Sequence, residues 1–303
     1  MTANKHFWGL VLMVIGLTCV GLAICSYISI KIFECRQSHL PDHTTGYTHQ
    51  VVFFEDELFF EGVRLVKQNS LQVQPHIMGG IVPHHLVASQ LIADFFYRLT
   101  NQKPKTIIIL GPNHLERGEK PVLSSIYNWK TSFGVVEPQR NIIVQLRDKK
   151  VINIDENTVS SDHSITSLMP FLEYYLPDTK VVPLLISGLM DQSQINKLAN
   201  HLAKVVNEDV VLIAAVDFSH NLIGDQARQK DQITYHLMMT RQYDQLRNLN
   251  NQYLDSPSSI IALLKTMELV GATQSDLIYN TNSGEISGDH SVGSTSYFSI
   301  VYY

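Results

Sequence analysis

Three uninterrupted apolar runs stand out along the 303-residue chain, and each gives way to a polar stop carrying an imidazole. Ile77-Met-Gly-Gly-Ile-Val82 leads into Pro83-His84-His85, and Thr106-Ile-Ile-Ile-Leu110 leads into Gly111-Pro-Asn-His114. Val210-Val-Leu-Ile-Ala-Ala-Val216 leads into Asp217-Phe-Ser-His220. Short runs that are apolar at nearly every position, followed by helical patterns, predict strands buried on both faces of a parallel sheet. After the first run, helical spacing appears at Val87, Leu91, Ile92, Phe95, Phe96 and Leu99. It recurs over 56–68, 164–176, 191–206, 225–240 and 258–270, with further strands expected at 122–126, 180–186, 273–280 and 295–302. The pattern predicts one α/β domain over 51–303, with a mainly parallel central sheet flanked by helices. Ligands of such sheets bind outside the carboxyl ends of the strands, so three strands ending in imidazole predict one polar pocket.

Upstream the pattern changes. Phe7 to Ile30 is 24 residues without a charge, and a helix needs roughly 20 apolar residues to cross the hydrocarbon core. Secretory h-regions run to about 7–15 residues and end at a small-residue cleavage site. No such site follows here, and Leu22-Ala-Ile-Cys25 departs from a lipoprotein box at Ile24. Residues 1–36 are therefore expected to be an uncleaved signal anchor with a transmembrane helix, ahead of a polar linker over 37–50. A cleaved signal peptide and a lipoprotein are the alternatives. Lys5 on one side nearly balances Lys31 and Arg36 on the other, so an extracytoplasmic domain on a single-pass anchor rests on the short amino-terminal tail. Cys19, Cys25 and Cys35 all fall in or beside this segment, which leaves disulfides uninformative about compartment. The net charge of −5, without basic clusters, argues against a nucleic-acid partner.

The polar stops carry the candidate chemistry. His84 and His114 are the best metal-ligand candidates, because imidazole is a common ligand near neutral pH and a strand end holds it rigidly. Each could instead cap a helix or sit in a satisfied hydrogen-bonded pocket. His85 should point away from His84 in an extended segment. Asp217 and His220 offer a carboxylate and an imidazole three residues apart, suited to acid–base work or to orienting a ligand. The plain alternative is a turn cap and a surface histidine. Asp162-His163-Ser164 precedes an amphipathic helix, so Asp162 or Ser164 is a cap candidate while His163 is free to face the pocket. The chain has no G-x-S-x-G, H-E-x-x-H, Walker or C-x-x-C motif, so the familiar hydrolase, zincin and nucleotide-binding readings lose weight.

These residues, in this order, resemble the Memo family, also known as protein B of the AmmeMemoRadiSam system. The resemblance covers roughly 45–303. It rests on Gly80-Ile-Val-Pro-His-His85, Ile108-Ile-Leu-Gly-Pro-Asn-His114, Asp162-His-Ser-Ile165, Val216-Asp-Phe-Ser-His220 and Asn282-Ser-Gly-Glu-Ile-Ser-Gly-Asp289. It implies a fold similar to class III extradiol dioxygenases, which hold non-haem Fe(II) between two histidines and a carboxylate. It also implies binding of a redox metal, most readily Fe(II), with copper as the alternative. The family's metal-binding histidines fall on His84 and His114, and the surrounding pocket on His163, Asp217 and His220. Typical members place Cys-Gly just before the helix that is expected here near Ser258. This chain reads Leu254-Asp-Ser-Pro-Ser258 instead, which puts Asp255 at the cysteine position. Two histidines and a carboxylate form the facial triad suited to non-haem Fe(II), although Asp-Ser-Pro is also an ordinary helix entry.

Three functions follow as expectations. The first is a membrane-tethered metal-dependent oxidoreductase acting on a small substrate, with His163, Asp217 or His220 managing protons. The second is a non-catalytic protein that presents the same pocket to a peptide or protein partner, other AmmeMemoRadiSam proteins included. The third is metal-assisted hydrolysis.

Overall fold

The computed structural model describes residues 47–66, 75–289 and 292–303. Its strands are β1 (Thr48–Gln50), β2 (Gly79–Val82), β3 (Thr106–Pro112), β4 (Val122–Ser124), β5 (Asn128–Lys130), β6 (Val135–Val136), β7 (Asn153–Ile154), β8 (Lys180–Ile186), β9 (Val210–Ala215), β10 (Ser275–Asn282) and β11 (Ser296–Tyr302). Its helices are α1 (Asp56–Leu65), α2 (Ser89–Arg98), α3 (Arg140–Asp148), α4 (Glu156–Ser161), α5 (His163–Thr166), α6 (Met169–Tyr175), α7 (Gln192–Leu202), α8 (Gly224–Met239), α9 (Tyr243–Arg247), α10 (Pro257–Val270) and α11 (Ser283–Ser287).

Eight strands form one sheet in the order β10-β11-β2-β9-β3-β8-β4-β7. Its centre, β2-β9-β3-β8, is parallel throughout, in keeping with the continuous apolar runs. Antiparallel β11 and β4 border it on either side. Side chains alternate between the faces of a strand, and the core divides accordingly. Ile108 and Leu110 of β3, with Leu212 and Ala214 of β9, pack with Leu198 of α7, Leu237 of α8 and Leu263 of α10. The intervening Ile107, Ile109, Val211 and Ile213 pack with Phe95 and Phe96 of α2 and Phe171 of α6 on the opposite face. The result is an α/β fold with helices on both sides of the sheet.

The expected helix over 164–176 is two helices, α5 and α6. Pro170 lies in the first turn of α6, where its missing N–H costs nothing; deeper inside one continuous helix it would break the ladder. A second sheet, β1-β5-β6, was not expected, because strands of two or three residues are too short to show a period. It also moves a boundary. Thr48–Gln50 pairs in parallel with Asn128–Lys130, so three residues that read as linker by composition belong to the folded domain. The His49 imidazole secures them, 2.8 Å from Glu156 Oε2 and packed on the Trp129 ring at 4.6 Å. The expected anchor over Phe7–Ile30, the three cysteines and residues 37–46 of the linker lie outside the described residues. Among the described residues no helix is long and apolar enough to cross a membrane.

Candidate metal centre

β2, β9 and β3 are neighbours in the sheet and point the same way. The residue two places past each strand therefore reaches a common space: His84 after Val82, Asp217 after Ala215, His114 after Pro112. His84 is 2% exposed. Its backbone N–H donates to Asp217 Oδ1 at 3.1 Å, and its Nδ1 lies 3.1 Å from the Ala215 carbonyl oxygen. A carbonyl only accepts, so Nδ1 carries the proton and Nε2 offers a lone pair. That Nε2 is 3.6 Å from Asp217 Oδ2 and 3.6 Å from Asp255 Oδ2. Burial, opposed by the Asp217 charge and reinforced by His114 and His163, lowers the His84 pKa to about 4. The imidazole is neutral at pH 7.

His114 is oriented by Asp162. Its backbone N–H donates to Asp162 Oδ2 at 3.0 Å and its Nδ1 lies 2.9 Å from Oδ1, which leaves Nε2 facing Asp255 Oδ2 at 4.0 Å. The same Oδ1 caps α5 by accepting from Ser164 N–H at 3.0 Å. Burial alone would raise the Asp162 pKa, but the His114 and Ser164 hydrogen bonds hold it at about 2. Two hydroxyls on and just after α5 complete a clamp. Ser164 Oγ donates to the Pro112 carbonyl at 2.9 Å, and Ser167 Oγ to the His84 carbonyl at 2.8 Å. Gly111 makes this approach possible, since a Cβ there would stand 2.5 Å from Ser164 Oγ. The capping reading of Asp162 is thus correct but incomplete. An aspartate cap directly preceding a pocket histidine was the available signal.

His163 stacks on His114 with centroids 4.2 Å apart and planes at 17°. Its side chain is 43% exposed, and Phe53 stands 5.6 Å away on the solvent side. Burial and then the His114 charge lower its pKa. Asp255 closes the inner side. Its N–H donates to the Asp217 carbonyl at 3.1 Å, and its Oδ2 accepts from Asp217 N–H at 3.2 Å. Ser256 caps α10 by accepting from Ser259 N–H at 3.3 Å, and Pro257 occupies the first turn. Capping therefore falls to Ser256, and the Asp255 carboxylate is left for the pocket. It is 4% exposed, and its Oδ1 is buried without a hydrogen-bond partner. Burial, then the Asp217 charge, push its pKa well above the ordinary carboxylate range.

Two overlapping groups of metal-binding atoms result, His84–His114–His163 and His84–Asp217–Asp255, each with its atoms within 4.8 Å of one another. The set expected from sequence, His84, His114 and Asp255, straddles the two. His220 belongs to neither. It is half-buried, and burial lowers its pKa while the Asp217 charge pulls it up. His85 turns away from the pocket, as its alternation with His84 requires, and bonds the buried Tyr297 hydroxyl at 2.7 Å.

The low His84 pKa has a stability consequence. A pKa of about 4 in the fold against an unfolded value of 6.5 means the unfolded chain binds more protons between these limits. The His84 contribution is full above pH 6.5 and is lost as pH falls towards 4, about 3 kcal/mol in all. The raised Asp255 carboxyl acts in the opposite sense, so the effect is read by difference. In metal-free protein, the stability gap between parent and His84→Gln should narrow as pH falls from 7 to 4 in urea titrations. A gap that stays constant would contradict a buried neutral His84.

The family model described as "Memo-like protein" matches residues 64–301. A MEMO1 family protein of Methanosarcina barkeri is 30% identical over 239 residues, covering 76% of this chain and 86% of that protein. Another from Sulfurisphaera tokodaii is 30% identical over 223 residues, covering 70% and 78%. Among solved structures, an uncharacterized protein from Escherichia coli K12 superposes with a TM-score of 0.51. It covers 74% of this chain and 98% of its own at 14% identity, a likeness of fold alone. With the family model spanning most of the domain and these relatives matching along it, the chain belongs to the Memo-like family.

Proposed function

We propose that this protein holds a divalent redox metal on His84, His114 and Asp255, Fe(II) in preference to copper, and uses it for oxidoreductase chemistry on a small substrate. The observation that carries this reading is the Asp255 carboxylate. It is shut away from water with Oδ1 unpartnered, while Oδ2 faces two imidazole Nε2 atoms at 3.6 and 4.0 Å. Such a convergence of acceptors is costly unless a cation or proton fills it. The separations fall within the span of two bonds of about 2.1 Å each. Imidazole with carboxylate suits iron, whereas the thiolate usual in this family would favour softer ions such as Cu(I).

Bound there, an iron ion would supply open positions for substrate and dioxygen. The chain's own groups do the rest. Asp162 and the Ala215 carbonyl hold both Nε2 lone pairs inward. His163, on the solvent side with a lowered pKa, is neutral and able to accept a proton from a substrate lying against it. Asp217 fixes the His84 backbone, and His220 is a more distant proton carrier. An oxygen electrode, run on iron-loaded protein across a panel of small reductants, tests the reading. Oxygen uptake that depends on His84 and His163 supports it; ester or amide cleavage without oxygen uptake would replace it with the hydrolytic alternative. Failure to take up any metal would leave the binding-module alternative.

Asp162→Asn should be costly in two ways. An amide has one acceptor where three N–H donors converge, so stability should fall by about 1–3 kcal/mol. Loosening His114 should weaken iron binding about 10–100-fold. Unchanged affinity in a folded Asp162→Asn variant would show that His114 needs no orienting partner. Attachment to a membrane through Phe7–Ile30 rests on that segment's uncharged length. Full-length protein that keeps this segment and stays in the aqueous phase without detergent would contradict it.

A further inference from the structure

We propose that a cavity between α3, α7 and the β4–β7 edge of the sheet is a second ligand site, built for a compact molecule joining an apolar body to a group with two or more negative charges. The chain as a whole is acidic, with 28 carboxylate residues against 23 lysines and arginines. This cavity of about 350 Å³ inverts the balance, since Lys120, Arg147, Lys150 and Lys197 line it and no Asp or Glu does. Small-molecule pockets run from about 300 to 1,000 Å³, so the volume suits a compact ligand.

A bland account would have these cations serve the carboxyl end of α3, where backbone carbonyls carry partial negative charge. One of them does so: Lys197 Nζ donates to the Lys150 carbonyl at 2.8 Å. That bond fixes the ammonium at the cavity and leaves two of its three protons for a ligand. Arg147 meets Asp148 at 3.0 Å, a contact in which both side chains are well exposed, so solvent weakens it and a ligand can share the guanidinium. The ammonium groups of Lys120 and Lys150 form no ion pair among the described residues. Four cations around one cavity exceed what one helix end requires, and an anion there would offset their like charges.

Apolar side chains give the cavity its other half. Val122, Ile152, Met190 and Leu198 line it, and each is buried. A cation rim over an apolar floor disfavours neutral molecules and favours a phosphorylated or dicarboxylated compound with a small apolar body. None of the lining residues belongs to the metal-binding groups around His84, so this is a separate site.

The test is calorimetric titration of the full-length protein with 1-naphthyl phosphate and with naphthalene-1,4-dicarboxylate, using 1-naphthol as the neutral control. At least one dianion should saturate a single site, weaken with added salt, and outbind 1-naphthol. The double variant Lys120→Ala/Lys197→Ala should weaken it about tenfold or more, with Lys120→Glu acting in the same direction. His84→Ala should leave it unchanged. Matched melting temperatures confirm that the variants are folded. Parent-like affinity in both lysine variants, equal binding of 1-naphthol, loss of binding in His84→Ala, or no saturable binding would each overturn the proposal.

Discussion

His84→Ala should abolish tight Fe(II) binding in anaerobic titration, lowering affinity by more than the roughly 10–100-fold that loss of an orienting partner costs. The residue is 2% exposed and its ring is locked with Nε2 inward. Without it only His114 and Asp255 of the proposed set remain, and two ligands hold a labile divalent ion poorly. His114→Ala should behave alike. Asp255→Ala should weaken binding less, because Asp217 stands beside it and can lend a carboxylate oxygen in the same group. Asp255→Cys should shift preference towards Cu(I), since a thiolate is the softer donor. If all four variants bind iron as the parent does, the metal lies elsewhere.

Gly80→Val should be the most damaging single change to the fold. A Cβ at Gly80 would stand 2.3 Å from Phe95 Cε2 and 2.7 Å from the Ile300 carbonyl oxygen. The Phe95 ring is fully buried, and Ile300 belongs to β11, whose Val301 lies opposite Gly80 in the ladder. Neither neighbour can yield without opening the core or the sheet. The cost should be about 3 kcal/mol or more, which for a domain of this size lowers the melting temperature by about 6–12 °C. Because His84 lies two residues past the end of β2, iron affinity should fall with it. A melting temperature within about 2 °C of the parent would show that β2 has room the structure does not give it.

How far the sequence could be read varied with the kind of signal. Strands β2, β3 and β9 were plain because burial on both faces leaves apolar runs, and α2 because its four helically spaced apolar residues, Leu91, Ile92, Phe95 and Phe96, face the core. Their shared carboxyl edge followed from the parallel order, so His84, His114 and Asp217 could be brought together before any coordinates. Elements with little burial left weaker traces. α3 buries only Ile143 and Leu146 of its nine residues, and the two-residue strands β6 and β7 are too short for any period. Asp255 was legible only through the resemblance, which puts it at the family's cysteine position. Asp-Ser-Pro is also an ordinary helix entry with Ser256 as cap; the fold bears that cap out and leaves the Asp255 carboxylate facing His84 and His114. Asp162 is a cap candidate in the sequence and a cap in the fold; its hold on His114, 48 positions away, is signalled only indirectly, by its place directly before the pocket histidine His163.

The most direct test of the metal assignment is a crystal structure of the full chain after anaerobic soaking in Fe(II), with the ion located by its anomalous scattering. One iron should bind His84 Nε2, His114 Nε2 and a carboxylate oxygen of Asp255. An ion on His163 or Asp217 in place of Asp255, or no iron between His84 and His114, would contradict it.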